Sequence, residues 1–199
     1  MRLIVASNNG KKRAEISAIL AALGIEVVPA EETRHVEVVE DGDSFAANAR
    51  KKAEAFAGAN GLPALADDSG LMVDALRGAP GIHSARYAGA SASDADNNGK
   101  LLHALDGIGE RSARFVCALH LDFADGSAPI ALSGAVEGEI LHRSDGSSGF
   151  GYDPLFFCPE LGKSFGRASI EEKASVSHRG RALRQLAAVL KERLGANEA

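Results

Sequence analysis

Five clusters in this sequence have residue types and spacings that could do chemistry. The first is Ser7-Asn8-Asn9-Gly10-Lys11-Lys12, which follows a short apolar run and opens a helical pattern. A strand-to-helix junction presents unpaired backbone N–H groups and the positive end of a helix dipole. Lysines in a first turn oppose that dipole, and a bound anion would relieve the conflict. A plain Asn or Ser cap with two solvated lysines is equally consistent with these residues. The phosphate loop G-x-x-x-x-G-K-[ST] is absent. The second cluster is Asp67-Asp68-Ser69-Gly70, at the end of the apolar run Ala64 to Ala66. Adjacent carboxylates repel and call for a cation or for donors. Mg²⁺ favours one or two carboxylates, completed by waters and phosphate oxygens. By composition alone the same four residues fit a polar turn better.

The third cluster is Gly149-Phe150-Gly151-Tyr152-Asp153-Pro154. Two glycines permit close backbone approach, and two rings could stack a base, although core aromatics pinning a tight turn would look the same. The fourth is Lys173 with Ser177-His178-Arg179 at the start of the last helix. Its side chains could donate to an oxo group, or simply cap and solvate a helix. The fifth is Glu40 with Asn48 and Lys52, the latter two four residues apart and so on one helix face. Taken singly, each cluster has an ordinary structural explanation. Jointly they supply phosphate donors, carboxylates for a metal, a stacking surface and donors for a base edge. A nucleoside triphosphate requires all four.

The elements that must position these residues follow from apolar periodicity. Leu3 to Ala6 and Ile25 to Val28 read as strands, and Ala64 to Ala66 is a short apolar run ending at Asp67. Ile16, Ile19, Leu20 and Leu23 predict a helix over 11–23 stopped by Gly24. Phe45, Ala49, Ala53 and Phe56 predict a helix over about 44–57, and Leu101, Leu102 and Leu105 one over about 93–106. Alternation from Phe115 to Phe123, an Asp125-Gly126 turn and a second strand over 129–142 predict an antiparallel hairpin. Leu183, Leu186, Leu190 and Leu194 predict a last helix over about 177–194, with Gly195 as its stop. The mixture predicts an α/β fold with a mixed sheet rather than an all-parallel doubly wound one.

Composition narrows the class. Length 199 suits one domain, or two lobes sharing a core. A formal net charge of −5 and the lack of a basic stripe argue against a nucleic-acid coat. Cys117 and Cys158 form no C-x-x-C, and no H-E-x-x-H occurs, so neither a disulfide scaffold nor a structural zinc site is expected. No run reaches membrane length and the opening is too short for a signal peptide, which makes a cytoplasmic location the expectation.

The motifs, taken in order, resemble the inosine/xanthosine triphosphate pyrophosphatases. The carriers are Ser7, Asn9 and Lys12; Ala66 to Leu71; Pro80 to Gly89; Gly149 to Pro154; and Glu171 to Leu183. They run through essentially the whole chain. The resemblance implies a single domain over 1–199 with a long mixed β-sheet, flanking helices and two lobes around a central cleft. It also implies a homodimer and no membrane or nucleic-acid partner. The implied reaction is Mg²⁺-dependent hydrolysis of dITP, ITP and XTP to the monophosphate plus pyrophosphate. Ser7, Asn8, Asn9, Gly10, Lys11, Lys12 and Lys52 would then hold the triphosphate, and Ser69 would contact substrate. Glu40 and Asp68 would serve the metal, with Asp68 also accepting the proton of the attacking water. Phe150, Gly151, Tyr152, Asp153, Lys173, His178 and Arg179 would form the base pocket. The sequence departs from the pattern at Ala47, where many members carry an acid. That shifts weight onto Glu40 and Asp67.

Overall fold

The computed structural model describes residues 1–34 and 36–196, with side chains through residue 193. Its seven strands are β1 (Arg2–Val5), β2 (Glu26–Val27), β3 (Ala64–Val73), β4 (Ser112–Asp122), β5 (Ile130–Ile140), β6 (Phe156–Cys158) and β7 (Lys163–Ser164). They form one sheet in the order β2-β1-β3-β4-β5-β6-β7. Pairing is parallel from β2 through β1 to β3 and antiparallel from β5 through β6 to β7. The sheet is therefore mixed, as the sequence predicts. β4 and β5 are neighbours joined by residues 123–129, a connection too short for a parallel crossover.

The helices are α1 (Gly10–Ala22), α2 (Phe45–Asn60), α3 (Asp94–Ala104), α4 (Ile170–Val176) and α5 (His178–Ala196). Local chemistry sets their ends. Asn9 caps α1 by accepting from Lys11 and Lys12 N–H. Ser44 caps α2, which Gly61 ends in the left-handed region at φ 62°. Ser93 and Asp96 close a reciprocal capping box on α3, as Ser169 and Glu172 do on α4. α5 runs on through Gly195, because a helix near its end tolerates a glycine that no left-handed turn requires. The Leu194 side chain, part of the predicted apolar stripe, lies outside the described residues.

Contacts divide the chain into two compact units. One gathers Met1–Asp68, Cys117–Gly134 and the chain from Arg179; the other gathers Ser69–Val116 and Ala135–His178. The first has an alanine-rich core. Ala49, Ala53, Ala57 and Phe56 of α2 pack with Ile4, Ala64, Ala66 and Ala118 of the strands and with Ala6 just after β1. Small side chains let this helix approach the strands closely. The second is aromatic: Phe115, Phe156 and Phe165 cluster with ring centroids 4.7 Å and 5.1 Å apart in successive pairs. Leu71, Leu101, Leu105 and Val136 pack around them.

One expectation is overturned here. The segment Asp67-Asp68-Ser69-Gly70 is not a polar turn after a short apolar run. β3 continues through it to Val73. Turn-like composition is overridden because distant partners compensate the carboxylates, leaving the backbone free to stay in the sheet.

Candidate active site

β3 puts its two aspartates on opposite faces, since successive side chains of a strand alternate. Asp67 is 1% exposed. Its Oδ2 accepts from Arg179 Nε at 2.9 Å and from the Cys117 thiol at 2.9 Å. Its Oδ1 meets Lys12 Nζ at 2.9 Å. Arg179 also pairs with Glu15 at 2.8 Å. Burial alone would raise the Asp67 pKa, but the charges of Arg179 and Lys12 outweigh it and hold the carboxyl well below the usual range. Burial, reinforced by the charge of Asp67, pushes the Cys117 thiol well up, so the sulfur stays protonated and donates.

On the other face, Asp68 Oδ2 accepts from Asn48 Nδ2 at 3.3 Å and Oδ1 from Lys52 Nζ at 3.2 Å. Lys52 also donates to the Asp67 carbonyl at 2.9 Å and pairs with Glu40 Oε1 at 3.0 Å. These three acceptors use its three ammonium donors. Burial raises the Asp68 pKa. Lys52 and Lys12 oppose that rise without overcoming it, and the charge of Glu40 adds to it. For Lys52 burial works downward, but Asp68 and Glu40 win and the ammonium is retained. Glu40 is lowered, because Lys52 overcomes the cost of burial. The two adjacent aspartates are thus driven apart: one is a fixed anion, the other a carboxylate that takes up a proton more readily.

The fifth predicted cluster is brought together by Asn48. Its Oδ1 accepts from Gly42 N–H at 2.8 Å while its Nδ2 reaches Asp68, so one amide ties the loop after Glu40 to the strand. A Cβ on Gly42 would lie 2.6 Å from that Oδ1, which explains the glycine. Glu40 and Asp68 therefore share one cation, the Lys52 ammonium, at 3.0 and 3.2 Å. Two carboxylates converging on a positive charge fit a Mg²⁺ that takes its remaining ligands from water and phosphate. No group of three or more His, Cys, Asp or Glu suited to a metal occurs among the described residues. Ala47, where an acid was expected by resemblance, gives its N–H to the Ser44 cap.

Ser7 to Lys12 form the predicted junction. Ser7 Oγ accepts from Asn9 N–H at 3.2 Å, and Asn9 Oδ1 accepts from Lys11 and Lys12 N–H at 3.0 and 3.1 Å. Asn8, Gly10 and Lys11 are exposed. Lys12 leaves this loop to join Asp67.

The second unit holds the aromatic motif. Asp153 Oδ2 accepts from Phe150 N–H at 2.8 Å and from Lys173 Nζ at 2.7 Å. The Lys173 ammonium lies 4.8 Å from the Phe150 ring centroid. Gly149, at φ 77°, admits no side chain, because a Cβ would fall 2.1 Å from the Asp153 carboxylate. His178 stacks on Phe115 at 5.0 Å. Ser69 is half-buried.

Two expectations are corrected by placement. Tyr152 is no stacking platform: it is 4% exposed, and its hydroxyl donates to the Ser84 carbonyl at 2.9 Å. Arg179 is expected in the base pocket, whereas its guanidinium is committed to Asp67 and Glu15. Residues that sequence reasoning missed are Glu15, Cys117 and Ser84, whose contacts with the site come from distant segments and leave no local pattern.

Comparison with known proteins identifies relatives over nearly the whole chain. A profile of the Ham1 family matches residues 3–189. The chain is 53% identical over 185 residues to a dITP/XTP pyrophosphatase of Syntrophobacter fumaroxidans, covering 92% of this chain and 79% of that one. It is 49% identical over 197 residues to the dITP/XTP pyrophosphatase of Geobacter sulfurreducens, covering 98% and 96%. Among solved structures, a HAM1 protein from Coxiella burnetii superposes with a TM-score of 0.86 at 42% identity, covering 96% of this chain and 99% of the other.

Proposed function

The chain belongs to the Ham1 family, and from that premise we propose that it hydrolyses non-standard purine nucleoside triphosphates (dITP, ITP and XTP) to the monophosphate and pyrophosphate, clearing them before they enter DNA or RNA. The observation that carries the reading is the divergence of Asp67 and Asp68. A site that needs one carboxylate as base and one as fixed counter-ion separates their proton affinities by environment; here burial raises both, Arg179 and Lys12 overcome it at Asp67, and at Asp68 Glu40 adds to it while Lys52 and Lys12 do not overcome it.

In this reading Ser7 to Lys12 and Lys52 bind the triphosphate at the positive end of the α1 dipole. Asp68 orients a water and takes its proton as the new oxygen–phosphorus bond forms. The α–β anhydride breaks, and pyrophosphate leaves with the bridging oxygen. Glu40 and Asp68 are the residues that would hold Mg²⁺, which when bound supplies charge neutralisation at the phosphate oxygens. Lys12 and Lys52 add fixed positive charge for the leaving group. Phe150 provides the face on which the base stacks. Lys173 and His178 supply donors for a 6-oxo group; adenine would leave such donors unpaired, at about 1–3 kcal/mol for each buried group. A homodimer, which the family resemblance supports, is the assembly in this proposal.

The test is product analysis across dITP, XTP, ITP, ATP and GTP, with and without a chelator. Pyrophosphate from the first three, lost on chelation and restored by Mg²⁺, is expected. Orthophosphate as first product, or equal turnover of ATP, would overturn the reading.

A further inference from the structure

The loop that carries Phe150 is gripped from a direction that the base-binding reading leaves out. Gly151 adopts the left-handed region at φ 60°. Both polar groups of this residue are taken by α3: its N–H donates to Asp94 Oδ2 at 2.8 Å, and its carbonyl accepts from Asn98 Nδ2 at 2.9 Å. Asp94 and Asn98 are i and i+4, so one helix face presents an acceptor and a donor at a fixed separation. Asp94 stands in the first turn, where a carboxylate complements the helix dipole, and the Ser93–Asp96 capping box fixes that turn.

Stability alone does not account for Asn98. Its Oδ1 is buried without a hydrogen-bond partner among the described residues. A stranded acceptor costs free energy that an apolar side chain would avoid. The amide therefore carries a penalty in exchange for its bond to Gly151. On the other side of the loop, Asp153 accepts from Phe150 N–H and from Lys173. The peptide units flanking Phe150 are thus fixed from both sides, by Asp153 and by the α3 pair.

We propose that Asp94 and Asn98 are positioning residues for base recognition, a two-point clamp on Gly151 that sets the plane of the Phe150 ring. This rests on the reading that Phe150 stacks the base. A merely structural pair would lower stability and affect every ligand alike. A clamp acts on affinity for the base-bearing substrate and spares ligands that have only phosphates.

The experiment measures KM and kcat for dITP, and inhibition by pyrophosphate, in Asp94→Ala, Asn98→Ala, Asp94→Asn and Phe150→Ala, with a melting curve for each. The clamp predicts that Asp94→Ala and Asn98→Ala each raise KM about tenfold, as expected for one lost hydrogen bond. kcat and the pyrophosphate inhibition constant should stay within about threefold. Asp94→Asn keeps an acceptor oxygen for the Gly151 N–H and should restore KM. If Asp94→Ala fails to fold, Asn98→Ala decides alone. If Phe150→Ala raises KM while neither alanine variant on α3 does, or if those variants weaken pyrophosphate equally, the clamp is wrong and the base site stands. If Phe150→Ala leaves KM unchanged, both fall.

Discussion

The two faces of β3 carry the same side chain one residue apart and treat it in opposite ways. On the Asp67 face the carboxylate is closed in by Arg179, Lys12 and the Cys117 thiol, and its negative charge is held. On the Asp68 face a neutral amide, one lysine and a second carboxylate surround it, and its proton affinity rises. A pleated strand needs no more than its alternation to give two adjacent carboxylates unlike surroundings. The difference teaches that the chemistry here is set by what packs on each face, not by the D-D pair itself.

That contrast can be broken in several ways. Replacing Asp68 by Asn should lower kcat on dITP by about 10³-fold, the scale of a lost general base. Its melting temperature should not fall, because a carboxylate strained by burial and by Glu40 is removed; a fall of many degrees would give Asp68 the anchoring role as well. Replacing Asp67 by Asn should act on stability instead. Lys12 would lose its buried partner and Arg179 would keep only Glu15, at a cost of about 3–5 kcal/mol. Denaturant melts check this, and an unchanged midpoint would mean that the Asp67 cluster is dispensable.

Asn48→Ala is a finer probe. It removes the amide that joins Gly42 to Asp68. kcat/KM should fall roughly tenfold, matching about 1–2 kcal/mol for the lost bonds, with little change in melting. An equal loss in stability would make the amide a packing residue. The smallest effect concerns His120 on β4, whose pKa burial lowers against the opposing charges of Glu54 and Asp122, while Arg50 adds to the lowering. The folded state then binds fewer protons than the unfolded state just below pH 6.5, the ordinary histidine value. Stability present above that pH should be lost as pH falls through it. His120→Gln should flatten this part of the stability–pH curve. An unchanged slope would show that His120 is not its source.

Much of the fold was legible. The stripes on α2 and α5 and the alternation of β4 and β5 predict their elements because periodic burial leaves a periodic record. β3 was not legible past Ala66. Its partners arrive from α1, α2 and α5, and Arg179 lies 112 positions from Asp67; no local pattern encodes such compensation. β6, β7 and α4 are too short to carry a period. For the candidate site, the motif around Lys12, Lys52, Glu40 and Asp68 is assembled in the first unit as one connected set. Tyr152 misled because a ring in a glycine-flanked motif looks available until its hydroxyl is found on the Ser84 carbonyl.

The most direct test of the division between the two faces is turnover of dITP by Asp67→Asn and Asp68→Asn, each normalised to its folded fraction. The account predicts that Asp68→Asn loses about 10³-fold in kcat per folded molecule, while folded Asp67→Asn loses less than about a tenth of that factor. Near-normal turnover by Asp68→Asn, or a larger loss in Asp67→Asn, would contradict it.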